Sequence, residues 1–221
     1  MSGAQAVRLP ENVGYEVGAC LGIPALTAVQ AVRLAQIGSE TTVLIAGGAG
    51  SVAHYAIQLA KLRGARVITT ISNDIKATHA RRAGADETIN YRTEDVGERV
   101  SALTDGRGVD ALIEVDLSAN AKLYPAVLRP HSTIVVYGTS ASETTLPGHW
   151  LMLNSITLRL FLVYELSAAD RAAAINELME LLEHGRLIHS VARRLPLEAI
   201  ADAHEIVERG EVVGNVVLDI S

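Results

Sequence analysis

The sequence predicts an α/β fold, a doubly wound parallel sheet of about six strands with helices on both faces. Three observations lead there. Short apolar runs alternate with helix-length segments from residue 41 to about 184, the pattern of right-handed crossovers between parallel strands. The run Val43-Leu44-Ile45 carries no polar alternation, as expected of a strand covered on both faces. Three glycines, Gly47, Gly48 and Gly50, then separate that strand from a helix.

Each element has a local reason. The first helix, past the glycines, carries Val52, Ala56, Leu59 and Ala60 as its apolar stripe and stops at Gly64. A second strand spans residues 66–72. Asn73 or Asp74 can cap the next helix, which runs to Arg82 and ends at Gly84. Residues 87–91 form a short third strand, followed by a polar helix over 93–103 and turn chemistry at Asp105-Gly-Arg-Gly108. Strands are expected at 109–115 and 132–138, separated by a helix over 119–128 that Pro130 stops. A sixth strand spans 155–164. The remainder reads as a helix over 168–183 ending at Gly185, a strand near 188–195, a helix over 197–209 and a final strand over 214–220. The organisation expected is a lead-in segment with a helix (1–30), a dinucleotide-binding unit (31–165), and a connecting helix with a return segment (166–221).

The glycine turn is the main functional signal. Gly48-Ala-Gly50-Ser-Val-Ala53 fits a dinucleotide fingerprint with Ala in its last place, where a small residue lets helix pack on strand. Gly47, Gly50, Ser51 and Val52 lie where the chain turns into the helix, so free amides and the positive dipole end suit a pyrophosphate. A bare tight turn and an S-adenosylmethionine site are the competing readings. Three glycines in four residues exceed what a turn alone needs, and the strand–turn–helix context favours the Rossmann reading. An NAD site usually places an acid at the end of the second strand. Here that region offers Ser72, Asn73, Lys76 and, after the third strand, Tyr91-Arg92, a set suited to a 2′-phosphate and hence to NADPH. Asp74 is the opposing clue, read as a helix cap.

Composition excludes other classes. Hydrophobic residues make up 49% and charged residues 20%, which supports a core and excludes a disordered chain. A net charge of −6 and few aromatic residues argue against nucleic-acid binding. No apolar run spans a membrane and the N-terminus has no signal pattern, so a cytoplasmic, membrane-free protein is expected. The sole cysteine, Cys20, reads as a small buried hydrophobe. The seven histidines show no metal-ligand spacing and read as solvated or structural, with His54 off the apolar stripe of its helix. Metal ligands: none are expected.

The segments Leu9-Pro-Glu-Asn-Val, Gly18-Ala-Cys-Leu-Gly-Ile-Pro-Ala-Leu-Thr-Ala28, the glycine turn, Ile89-Asn-Tyr-Arg92 and Gly214-Asn-Val-Val-Leu218 occur in an order and spacing that identify a family. The chain resembles the zinc-free quinone oxidoreductases, the zeta-crystallin-like branch of the medium-chain dehydrogenase/reductase superfamily. It departs from them in having Ser51 and Ala53 where the turn usually has glycines, and in beginning after the family's GroES-like barrel domain. The resemblance implies an NADPH-dependent enzyme that reduces a quinone or another activated alkene or carbonyl, without metal. It implies that Lys76 and Tyr91 hold the 2′-phosphate and that Thr27 passes beside the nicotinamide. Gly138, Thr139, Phe161 and Val163 lie at carboxyl ends of strands, where ligands gather, although Phe161 to Val163 read equally as strand core. Asn215 could reach the cofactor or simply serve a turn. No proton donor is assigned. A non-catalytic NADPH-binding or assembly module is the alternative. A homodimer joined through the edge strand 156–164 is expected. The tail strands are expected to pair with each other or with residues near Ala4 to Leu9, forming a remnant of the second domain.

Overall fold

The structure is a computed structural model and describes residues 6–210 and 212–220. Its centre is a six-stranded, all-parallel sheet in the order β3-β2-β1-β4-β5-β6. The strands are β1 (Thr42–Ile45), β2 (Arg66–Ile71), β3 (Glu87–Asn90), β4 (Val109–Glu114), β5 (Leu128–Val136) and β6 (Thr157–Leu160). The order reverses between β1 and β4. There the crossovers to the two halves leave on opposite sides and open a crevice at the carboxyl ends.

Period-two alternation divides the core into two layers. Val43, Ile45, Val67, Ile71, Ala111, Ile113 and Val135 face one cluster, and Leu44, Ile68, Leu112, Ile134 and Val136 face the other. On the first face lie α2 (Leu26–Leu34), α3 (Ser51–Leu62), α4 (Asp74–Arg82) and α9 (Ala168–Glu183). On the second lie α5 (Val96–Leu103) and the short helices α6 (Leu117–Asn120), α7 (Tyr124–Val127) and α8 (Gly148–Leu153). A four-residue helix, α1 (Tyr15–Gly18), precedes a π-helical turn at Leu21–Ala25 that feeds α2. Asn12 donates to the carbonyl of Leu182, 3.0 Å away, and so caps the end of α9.

Several expectations shift. The helix expected over 119–128 is two short helices, α6 and α7, joined by a 3-10 turn, because Asp116 caps the first and Pro125 starts the second. The fifth strand begins earlier than expected, at Leu128. Pro130 and His131 (φ 64°) sit in an irregular stretch where the pairing with β4 changes register. The sixth strand is only Thr157–Leu160. Ser155 adopts a left-handed φ of 52° that closes α8 ahead of it, and a 3-10 turn at Val163–Glu165 ends the extended run behind it. Phe161 and Val163 therefore lie beyond the strand.

The return segment pairs with itself. β7 (Val191–Pro196) and β8 (Asn215–Asp219) form a two-stranded parallel sheet, linked by α10 (Ile200–Glu208) after a 3-10 turn. An ion pair between Arg194 and Asp219 (3.0 Å) crosses the two strands. Residues 6–9 form no strand, and Ala4 lies outside the described residues.

Helix α3 departs furthest from a surface helix. Every residue from Ala53 to Ala60 is buried, His54 included, because the sheet, α2 and the return segment enclose it. His54 Nε2 lies 2.9 Å from the carbonyl of Ile188, and Gln58 bonds the same residue at both its N–H (2.7 Å) and its C=O (3.0 Å). The His54 ring packs on His79 with centroids 4.8 Å apart, and Tyr55 Oη lies 3.1 Å from His189 Nδ1. Burial lowers the pKa of all three imidazoles, with His54 adding its charge against the other two.

Glu114, the last residue of β4, is 1% exposed. Its Oε1 accepts from the Asp116 N–H and from Asn120 Nδ2, both at 2.8 Å. Burial outweighs those bonds and raises its pKa from 4.5 to about 7. The native state therefore holds a proton there that the unfolded chain gives up, so this contribution to stability is complete below pH 4.5 and fades as pH rises to about 7. At about 1.4 kcal/mol per pKa unit the whole contribution is at most roughly 3.5 kcal/mol. Glu114→Gln should flatten the decline of melting temperature between pH 5 and 8 and melt above the parent at pH 8, measured by calorimetry; parallel pH profiles for the two proteins would contradict this.

Candidate functional site

At the crevice the chain leaves β1 through Gly47, whose φ of 71° suits glycine. Thr70 fixes the turn, because its Oγ1 accepts from the Gly47 N–H (3.0 Å) and its carbonyl accepts from the Gly48 N–H (2.8 Å). A Cβ at Gly48 would collide with the side chain of Thr69, which itself donates to the Ile45 carbonyl (2.5 Å). A Cβ at Gly50 would press only on the Gly47 carbonyl, at 3.2 Å. Gly48 therefore serves helix–sheet packing, while Gly50 keeps the outer surface of the turn clear.

Gly50 is the N-cap of α3 and offers no side-chain cap. The N–H groups of Ser51, Val52 and Ala53 find no backbone acceptor, and they share the positive end of a twelve-residue helix. Ser51 Oγ donates to Asn215 Oδ1 (2.9 Å), so β8 is tied to the helix start. Asn215 is the first residue of its strand and touches the helix start through this bond.

Beside the turn, a pocket of about 210 Å³ is lined by Gly47, Gly50, Ser72, Lys76 and Tyr91, with Gly210 and Val213 across from them. β2 and β3 are parallel neighbours with Ile71 opposite Asn90, so the residues that follow each strand arrive side by side. Lys76 Nζ donates to the buried Ser72 Oγ (3.1 Å), which holds the ammonium over the strand end. No carboxylate lines this pocket among the described residues. Asn73 stands apart, because its Oδ1 accepts from the Lys76 N–H (2.9 Å) as the N-cap of α4. Asp74 is therefore not the cap but the first helical residue.

A second pocket, about 280 Å³, sits under the turn between β1 and β4, lined by Leu44, Leu112, Glu114, Tyr124 and Val127, with Tyr91 shared with the first. A third, about 1020 Å³ and open, lies over the carboxyl ends of β5 and β6. Its walls include Gln30, Tyr137, Gly138, Thr139, Phe161 and Glu165. Its loop is set by Asp116, whose carboxylate accepts from Ser118 Oγ (2.7 Å) and the Ser140 N–H (3.0 Å) and is held far below the usual carboxylate range by those bonds. A Cβ at Gly138 would strike the Val115 carbonyl, so only glycine lets the ends of β4 and β5 close up.

Two expected residues lie elsewhere. Val163 packs in the core against α2, and Thr27 is 4% exposed on that helix and lines none of the three pockets. The wall formed by Gly210 and Val213 was not anticipated, since nothing local in those residues announces where the return segment lands.

Comparisons with known proteins agree with this geometry. The sequence pattern of the zinc-binding dehydrogenase family matches residues 51–184. Human quinone oxidoreductase is 26% identical over 215 residues, covering 96% of this chain and 64% of its own length. An NAD-dependent alcohol dehydrogenase of Sulfurisphaera tokodaii is 29% identical over 201 residues, 90% of this chain and 55% of that protein. The crystal structure of Escherichia coli quinone oxidoreductase complexed with NADPH superposes with a TM-score of 0.86 at 28% identity, over 97% of this chain and 68% of that one. The chain thus spans under two thirds of the length of the human relative. No three His, Cys, Asp or Glu side chains gather as a metal site among the described residues, which therefore do not fit a zinc ion. No helix among them is long and apolar enough to cross a membrane. The chain belongs to the zinc-binding dehydrogenase family, on the side of the quinone oxidoreductases of the medium-chain dehydrogenase/reductase superfamily.

Proposed function

We propose that this chain holds NADPH for an oxidoreductase of the quinone reductase type, acting in the cytoplasm on a quinone or another activated alkene or carbonyl. One observation carries the cofactor choice: the pocket at the end of β2 presents Ser72, Lys76 and Tyr91, with no carboxylate among its described walls. A ribose 2′-hydroxyl would find no strong acceptor there, whereas a 2′-phosphate would meet a cation and hydroxyl donors. The relatives include NAD-dependent enzymes as well as a quinone oxidoreductase solved with NADPH, so the choice rests on this pocket.

When bound, the nicotinamide supplies a hydride. The residues of this chain do the remainder. The amides of Ser51 to Ala53 receive the pyrophosphate, and the apolar pocket between β1 and β4 receives the adenine end. The cleft over β5 and β6 places the other half of the dinucleotide on the far side of the switch point. Gly138, Thr139 and Phe161 form part of its lining.

Assembly follows from β6, an edge strand whose neighbourhood exposes Leu160, Leu162 and Tyr164. A twofold pairing of two such edges would cover them and continue the sheet.

Fluorescence titration tests the cofactor. NADPH should bind more tightly than NADH, and Lys76→Ala should weaken NADPH about tenfold while leaving NADH nearly unchanged, an effect that shrinks as salt screens the ion pair. Equal losses for both cofactors would remove Lys76 from the site. Gly50→Val should keep the fold, since its Cβ meets only the Gly47 carbonyl, yet lower NADPH affinity more than tenfold by intruding on the pyrophosphate. For the assembly, light scattering at micromolar concentration should give a dimer and Leu160→Arg a monomer; a monomeric parent would refute the edge pairing.

A further inference from the structure

Helix α3 is enclosed from Ala53 to Ala60, yet one of its faces is polar. Ser51, His54, Tyr55 and Gln58 recur at spacings of three and four residues and so share that face. Each is bonded to the return segment: Ser51 to Asn215, His54 and Gln58 to Ile188, and Tyr55 to His189. The segment is also tied to itself between these points. The Ser190 carbonyl accepts from the N–H (2.8 Å) and from Nδ2 (3.2 Å) of Asn215. Just ahead of Asn215, Gly210 and Val213 form the far wall of the pocket of Lys76 and Tyr91. One clamp on α3 therefore positions that wall.

The clamp accommodates neutral imidazoles and not charged ones. A carbonyl only accepts, so His54 gives its Nε2 proton to Ile188, and the neutral ring leaves Nδ1 bare. That atom is buried without a partner, as is Nε2 of His79, whose ring packs on that of His54. A proton added at either atom would enclose an N–H with no acceptor and place a charge beside a second imidazole. Arg82 on α4 adds a like charge near His79. Cys20 lies near Tyr55, and His189 shares a shallow pocket with Glu16, Arg193 and Arg194, the last of them paired with Asp219. The Glu16 carboxylate can offset a charge on His189, so acid sensitivity centres on His54 and His79.

We propose that His54 and His79, with His189, form an acid-sensitive latch: near neutral pH the uncharged rings hold the return segment on α3, and in mildly acidic solution their protonation releases it. Release also removes a wall of the Lys76 pocket and weakens cofactor binding, a consequence that rests on the cofactor reading above. Burial sets the sign. The docked rings titrate below the ordinary imidazole range, so the released segment binds more protons, and opening becomes easier as pH falls through about 6.5.

Amide hydrogen exchange of the full chain, expressed as protection factors at pH 7.5 and 5.5, tests the latch. Residues 188–196 and 212–220 should lose more than about tenfold in protection at pH 5.5, while β1 and β4 keep theirs. His54→Gln offers an uncharged amide N–H to the Ile188 carbonyl and should remove most of this loss. His79→Leu leaves the Ile188 bond alone and should reduce the loss, so it serves as the test if His54→Gln does not fold. Unchanged protection of the return segment at pH 5.5, loss shared equally by β1 and β4, or the same acid loss in parent and variants would each refute the latch. Titration with 2′,5′-ADP at both pH values reads the consequence. The parent should lose several-fold more affinity on acidification than His54→Gln, since the phosphate of the ligand titrates alike for both. If 2′,5′-ADP does not bind the parent at pH 7.5, the cofactor reading falls and hydrogen exchange still decides the latch. Equal acid losses of 2′,5′-ADP in parent and His54→Gln, with exchange that differs, would overturn the coupling to the pocket.

Discussion

Helix α3 has no solvent face between Ala53 and Ala60, and its fixed position decides what its amino end can do. Tyr55, Ile57 and Leu59 are each at most 2% exposed, and burying each such side chain contributes roughly 1.5–3 kcal/mol. Gly48 abuts Thr69 without room for a Cβ, and the N–H groups of Gly47 and Gly48 both donate to Thr70, which holds the turn on the sheet. The return segment is bound to the same helix at Ser51, His54 and Gln58. The unpaired amides of Ser51 to Ala53 are therefore held in place before any ligand arrives, and an anion meeting them needs no rearrangement of the backbone. The same enclosure buries His54 and partly buries His79 and His189, and that desolvation lowers the pKa of all three imidazoles.

The central sheet was legible because its information is local. Val43-Leu44-Ile45, the apolar runs of β2 and β4, and the glycine stops at Gly64 and Gly84 state strand and helix within a few residues of where each occurs. The elements misjudged in length depend on contacts that no short window contains. β6 looks like a ten-residue strand by its apolar run, yet it pairs only along β5, and the chain then turns at Val163 to pack on α2. The single helix expected after β4 breaks in two because Asp116 has a second duty, joining the loop after β5 as well as capping α6. His54 seemed polar by its place on the helix wheel. Its ring nitrogen is met by the Ile188 carbonyl, more than a hundred residues on, where the return segment helps to enclose the helix.

The site divides in the same way. Ser72, Lys76 and Tyr91 could be read together from the sequence, since two neighbouring parallel strands must deliver the residues that follow them to one place. Gly210, Val213 and the reach of Asn215 to Ser51 could not, because they depend on how β7 and β8 settle against α3. Thr27 and Val163 lie differently. Thr27 is buried on α2 and Val163 starts the 3-10 turn that ends the extended run after β6, so both side chains are enclosed by protein.

Cofactor choice under the proposed reading rests on what Asn73 is doing. The sequence grouped it with the residues suited to a 2′-phosphate, but its Oδ1 is spent on the Lys76 N–H as the cap of α4. That one bond has two effects. It commits the amide oxygen to the helix, and it fixes the first turn of α4, from which the Lys76 side chain folds back to Ser72. A lysine ammonium is a compact charge on a flexible stem, and tethering it reduces the ordering entropy it would otherwise lose on meeting a phosphate. A 2′-hydroxyl in the same place would displace water from the ammonium without replacing its charge partner. Discrimination then comes as much from what NADH fails to satisfy as from what NADPH gains, and it depends on a cap that touches neither cofactor.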